Sequence, residues 1–285
     1  MAAALALVAA AVFAFGTVLQ QRVAMVDANP TGDASPALVL LRLARHPVWL
    51  AGIGAYLVGY LLQCVALGEG KLIEVQPMLA TSIVFALPLG VWLSHQQIGR
   101  RDVLAAIAVT GGLGLFLVLS DPGGGREDVP AAEWLLAGGG IVALAVALAL
   151  AARGREGALR AALLGTAAGL VFGLVSALSK GAVEGLEDGG LSELLGDVKL
   201  YAILALGYLG MTLTQLSLAS GVLPPAVATT SIFNPAVGIV LGLALFDESI
   251  HQSAVDSVAA GLALLAMFAG VAVLALGPSP RPERR

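Results

Sequence analysis

The chain has 285 residues, 58% of them hydrophobic and 12% charged, with a net charge of −4 and a mean hydropathy of +0.92. Soluble domains carry roughly 25% charged residues, so this balance excludes a soluble globular domain, and it offers no basic face for nucleic acid. The single Cys64 excludes an intramolecular disulfide framework.

Apolar runs of the roughly 17–25 residues that cross a bilayer recur along the chain. In order they are 2–25, 48–67, 72–93, 103–119, 131–152, 159–183, 200–219, 223–245 and 254–276. The first is alanine-rich like a signal peptide but lacks a basic n-region, so it is read as a true helix. Residues 121–125, with Pro122, form a turn, and 277–285 a polar tail. The expected fold is an all-α polytopic membrane protein of about nine transmembrane helices, with residues 1–285 in a single membrane domain.

The second half repeats the first. Tyr56 to Ile98 aligns on Tyr208 to Ile250 without a gap, at an offset of 152 (208 − 56). Tyr56 meets Tyr208, Leu61 meets Leu213, Gln63 meets Gln215 and Val75 meets Val227, while Gly90-Val-Trp-Leu93 lies on Gly242-Leu-Ala-Leu245. The preceding segments match at an offset of 159 (172 − 13), placing Phe13 on Phe172, Thr17 on Ser176 and Gln21 on Lys180. Repeat one covers 1–119, a linking helix 131–152 and repeat two 158–276. With four helices per repeat and one between them, the expected arrangement is an inverted 4+1+4 repeat, as in transporters built for alternating access.

Basic residues set the expected orientation. With the N-terminus outside, the cytoplasmic side holds Arg22, Arg42, Arg45, Arg100, Arg101, Arg153, Arg155, Arg160, Arg281, Arg284 and Arg285. The outer side holds only Lys71, Arg126 and Lys199, a clear positive-inside bias. The C-terminus is then cytoplasmic, and the bacterial plasma membrane is the expected location. Acids gather on the outer side, at Glu69, Glu74, Asp121, Glu127, Asp128, Glu133, Glu184, Glu187, Asp188, Glu193, Asp197, Asp247, Glu248 and Asp256; Asp27, Asp33, Asp102, Glu156 and Glu283 fall inside. Such an outer mouth either concentrates cations or merely fills loops from which arginine is excluded.

The repeat of short apolar helices resembles the drug/metabolite transporter superfamily, with its EamA-like fold. Several segments look like the NIPA-type magnesium transporters and their bacterial relatives: Phe15-Gly-Thr17 with Gln20-Gln-Arg22, Gln76-Pro77, Ser176 to Gly181, and Thr214-Gln215. The nine-helix count is similar to that family too. The resemblance implies transport across the membrane, with magnesium as a candidate cargo.

Polar residues inside spans are the default functional candidates. The pathway-lining set is Thr17, Gln20, Gln21, Gln63, Gln76, Thr81, Ser82, Ser176, Lys180, Gln215, Thr229, Thr230 and Asn234, with Glu69 and Glu74 at the outer mouth. Gln63 and Gln215 either gate the pathway from opposite sides or tie helices together by hydrogen bonds worth about 0.6 kcal/mol. Pro77 and Pro235 each free a backbone carbonyl, and Asn234-Pro235, near mid-span, is the stronger candidate for a broken helix. Lys180 lies three residues from the end of its run, about 5 Å at 1.5 Å per residue. It either snorkels to the interface or contacts an anion as a gate.

No carboxylate falls at mid-membrane depth, so no metal site is assigned. A hydrated Mg²⁺, which keeps several waters, and an organic solute both suit such a lining. The sequence has no His-Glu-x-x-His, no Gly-x-Ser-x-Gly and no phosphate-binding loop, and His46, His95 and His251 fall in loops. An enzyme is therefore not expected, nor a cofactor. The expected activity is alternating-access transport of a small solute, a divalent cation such as magnesium being one candidate. The alternatives are export of an organic metabolite or amine, and a non-transport scaffold or regulator. Expected partners are the small-molecule or ion substrate and the lipid bilayer, with a homodimer as one assembly and no nucleic acid.

Overall fold

Within a bilayer each backbone N–H and C=O must be paired inside the protein, so apolar runs become helices. The computed structural model describes residues 1–26, 45–94, 99–119, 122–126, 129–218, 220, 223–250 and 254–275. Asp27, Asp33, Arg42, His95, Asp121, Glu127, Asp128, His251 and the tail 277–285 lie outside the described residues, as do the side chains of Gln21, Glu184, Glu187, Asp188 and Glu193.

In chain order the elements are α1 (Ala2–Val26), α2 (Pro47–Glu69), α3 (Leu72–Ala80), α4 (Ser82–Ser94), α5 (Arg100–Leu119) and β1 (Pro122–Gly124). Then come α6 (Ala131–Ala151), α7 (Gly157–Gly196), α8 (Val198–Leu218), α9 (Leu223–Leu245), β2 (Glu248–Ile250) and α10 (Ala254–Ala275). With α3 and α4 taken together, nine helical segments among the described residues are long and apolar enough to cross a membrane. The protein is an all-α polytopic membrane protein.

Three spans depart from the sequence expectation. The run 72–93 is divided at Thr81, whose N–H bonds Met78 O at 3.1 Å and whose hydroxyl donates to the same carbonyl at 2.6 Å. Pro77 and Pro88 lie inside the two pieces and remove helical donors. The expected break at Asn234-Pro235 is not seen; α9 continues through Pro235. The helix of Lys180 also runs on past 183 to Gly196, with Gly190 at φ 72° marking a kink. Lys180 is three residues from the end of the apolar span at Val183, while the helix itself continues beyond it.

One end of the bundle gathers several links. There β1 pairs antiparallel with β2, Gly124 opposite Glu248, and a Cβ on Gly70 would lie 2.6 Å from Ala2. The start of α1, the α2–α3 link, the α5–α6 link and the α9–α10 link therefore share this end, as strict alternation of spans requires.

The centre is α7, whose most apolar part is 78% buried against 6% for α6. It packs on α2, α6, α8 and α9. Gly165, Gly169 and Gly173, one turn apart, face Ala226 and Thr229, then Thr230 and Phe233, then Asn234 and Val237. Missing side chains at four-residue spacing let two backbones approach, which is how helices associate in lipid. Similarly α1 packs on α2, α3 and α4. Phe13 of α1 lies against Gly59 of α2, and Phe172 of α7 against Gly210 of α8. Helices α5 and α10 pack on each other antiparallel, Gly112 near Ala263 and Met267, Gly270 near Ala105 and Val109.

Candidate functional site

A helix presents unpaired N–H groups at its start, with a partial positive charge from the aligned peptides. Lys71, the residue before α3, is extended and makes no side-chain cap. The carboxylate of Glu248 does so from the other half of the chain, accepting from Leu72 N and Ile73 N at 2.9 Å each. Lys180 Nζ stands 3.9 Å from Glu248 Oε1, donates to Gly70 O at 3.2 Å, and lies 5.4 Å from the centre of the Phe246 ring. The Glu248 side chain is fully buried and that of Lys180 nearly so, at 11% exposure. Lys180 is therefore ion-paired to the link between α9 and α10, with Phe246 of that link beside it.

Local chain geometry delivers Glu248 to this place. Asp247 adopts the left-handed conformation at φ 47°, which short polar side chains tolerate best after glycine. Gly124, at φ +66°, leaves room for Asp247 O, since a Cβ there would lie 2.6 Å from it. Arg126 donates through its backbone to Phe246 O at 2.8 Å and through Nε to Leu245 O at 2.7 Å. Its guanidinium pairs with Glu133 and lies 3.3 Å from Asp247. The hydrogen bond to Glu133, helped by the Asp247 charge, raises the Arg126 pKa above its ordinary value. Gly242 provides the space for the carboxylate itself: a Cβ there would lie 2.5 Å from Glu248 Oε2 and 3.1 Å from Leu72 Cβ.

From Glu248 a series of polar groups descends along α9 at four-residue intervals. One turn below Gly242, Gly238 receives the Gln76 side chain of α3, whose Cγ and Cδ would stand 2.6 Å from a Cβ there. One turn further is Asn234. Gln76 Nε2 and Asn234 Oδ1 are both buried without a hydrogen-bond partner. One is a donor and the other an acceptor, and each buried unpaired group costs about 1–3 kcal/mol. Across the α2–α7 contact, Gln63 Nε2 donates to Ser176 Oγ at 3.0 Å, and the Tyr60 and Ser179 hydroxyls are 2.7 Å apart.

The other sequence candidates divide between this centre and ordinary helix contacts. Ser176 also donates to Phe172 O, Thr81 to Met78 O, and Thr229 to Pro225 O. Thr230 donates to Gly165 O across the α7–α9 contact, at 3.0 Å. Thr17 shares a 2.8 Å hydrogen bond with Tyr56, and Gln20 lies over Gly52, on the α1–α2 contact. Gln215 reaches only Met211 Sδ at 4.0 Å, so the Gln63–Gln215 pair is not matched in its contacts. Ser82 and Glu74 are half-buried and Glu69 is exposed. Sequence reasoning counted Glu248 among the loop acids and passed over Tyr60 and Ser179; hydropathy places Glu248 beyond its span, and only the fold returns it to the interior. Among the described residues no three His, Cys, Asp or Glu side chains are grouped to hold a metal ion. A groove of about 480 Å³ between α1 and α4 is lined by Val8, Ala11, Val12, Phe15, Phe85, Pro88 and Leu89, all apolar.

No protein-family model matches the chain, and no solved structure matches it. It is 30% identical over 277 residues to an uncharacterized protein of Corynebacterium glutamicum, the match covering 96% of this chain and 94% of that one. Likeness at that level along nearly the whole of both sequences makes them relatives: the chain belongs to the same family as that Corynebacterium glutamicum protein.

Proposed function

We propose that this protein is a membrane transporter, not an enzyme, moving a small polar solute by alternating access between two inverted four-helix repeats. The observation that carries the reading is the unpaired donor of Gln76 and unpaired acceptor of Asn234, buried where α3 of one repeat meets α9 of the other. A solute carrying both an acceptor and a donor completes both groups, and a site between the repeats can be exposed to either side by rocking one against the other. The repeated packing supports the inverted arrangement: α1 with α2 and α7 with α8, each anchored by a phenylalanine on a glycine, and α5 antiparallel to α10. The resemblance to drug/metabolite and NIPA-type transporters points the same way. From the arginine distribution, the end bearing Glu248 is the outer one.

A cationic cargo, hydrated Mg²⁺ included, is the second reading, favoured by Glu69 and Glu74 beside the α2–α3 link. A thermal-shift screen of purified protein against Mg²⁺, amines and amino acids separates the two. A true ligand at 100 times its Kd stabilises by about 2.7 kcal/mol. Flux of that ligand into proteoliposomes then tests transport; a ligand that binds and never crosses refutes the transporter reading.

A further inference from the structure

We propose that Glu248 is a one-sided latch, closing the bundle at its own end through groups that its sequence counterparts in the other repeat lack. The inference rests on the alternating-access reading. Glu248 ties the start of α3 to the end of α9 and to Lys180 of α7, so three helices that must part for that end to open are joined through one carboxylate.

In an inverted repeat each closing contact at one end has a sequence counterpart at the other. Here the counterparts of the donors, the carboxylate, the ammonium and the covering ring are all different residues. At the offset of 152, Leu72 and Ile73, whose N–H groups hold the carboxylate, fall on Pro224 and Pro225. Proline has no N–H to donate. Glu248 itself falls on Gln96, and Phe246 on Ser94. At the offset of 159, Lys180 falls on Gln21. Donors, acceptor, counter-ion and covering ring are all replaced. Gly242, which makes the space, keeps its counterpart in Gly90.

A buried carboxylate that accepts two N–H bonds and faces an ammonium is costly to separate, because the carboxylate would be left charged and without those donors unless water replaced them. Opening the Glu248 end therefore costs more than opening the other, and the resting protein is closed there. The two conformations of a near-symmetric machine are thus made unequal by one contact between the repeats whose sequence counterpart is lacking.

The test uses Gln76→Cys, beneath the latch, in a Cys64→Ser background, and measures modification of the new thiol by a membrane-impermeant reagent applied from either face. The expected result is slow reaction from the Glu248 face and faster reaction from the other. Glu248→Gln should then raise the rate from the Glu248 face about ten-fold or more. Leu72→Pro is the second variant, since proline is accepted at the first position of a helix and removes one donor without touching the carboxylate; it should act in the same direction. It also serves should Glu248→Gln fail to fold. Equal reaction from both faces in the parent protein, or no acceleration in the folded variants, overturns the latch and leaves transport standing. A thiol at position 76 that reacts from neither face in any variant overturns the transport reading together with the latch.

Discussion

Lys180 and Glu248 lie 68 positions apart in sequence (248 − 180) yet their charged groups face each other at 3.9 Å, the carboxylate fully buried and the ammonium side chain nearly so. The two partners are unequally supported. Without Lys180 the carboxylate keeps two backbone N–H donors, whereas without Glu248 both donors lose their acceptor and the ammonium, still bonded to Gly70 O, loses its counter-ion. Glu248→Ala should therefore destabilise the protein by about 3 kcal/mol or more, and Lys180→Met by less. Unfolding in detergent measures both; the reverse order would show that the ammonium, not the helix start, organises this centre.

Close packing around the same carboxylate gives a second expectation. Gly242→Ala puts a methyl 2.5 Å from Glu248 Oε2, and overpacking of this kind costs about 1–3 kcal/mol. Gly238→Ala should push Gln76 from its seat by the same mechanism, since its Cγ and Cδ would lie 2.6 Å away. Gly111→Ala is the control, because nothing stands within 4 Å of the added atom, and it should be neutral or slightly stabilising. Equal losses at 111 and 242 would contradict the packing described.

Gln63 should behave as a tie between α2 and α7 and not as a gate. Its side chain is 7% exposed and already bonded to Ser176. A double-mutant cycle with Gln63→Leu and Ser176→Ala should return a coupling of about 0.6 kcal/mol, the usual worth of such bonds in membranes. A cysteine at 63 that reacts rapidly with an external reagent would restore it to the pathway.

Tags at the two termini should report from opposite faces of the membrane, the N-terminus outside and the C-terminus in the cytoplasm, because the span count is odd and arginine is concentrated at one end. Both tags on one face would remove the nine-span path.

The charge of the cargo can be read at Glu69 and Glu74. For a cation, replacing both with glutamine should raise the apparent KM, and the effect should shrink in high salt, as attraction by exposed charges does. Unchanged KM at low salt would assign the cargo to uncharged or zwitterionic solutes.

Hydropathy alone located the membrane spans, because span length is a one-dimensional property: about 20 apolar residues cross the bilayer whatever their neighbours. The repeat was legible for a related reason, since Phe13 and Phe172, or Gln63 and Gln215, keep their spacing from the residues around them. Gln76 and Asn234 were marked as interior polar groups, but not that both would be left unpaired, which depends on the side chains of two helices more than 150 positions apart. The division of 72–93 at Thr81 was missed because Pro77 and Pro235 look alike in sequence, and tertiary packing decides which helix bends. Glu248 was hidden most completely. It stands three residues beyond its helix and reads as one loop acid among many, until a left-handed Asp247, the β1 strand and the space above Gly242 turn it inward. Burial of a charge depends on partners brought from elsewhere, here Leu72, Ile73 and Lys180, and only the folded chain brings them.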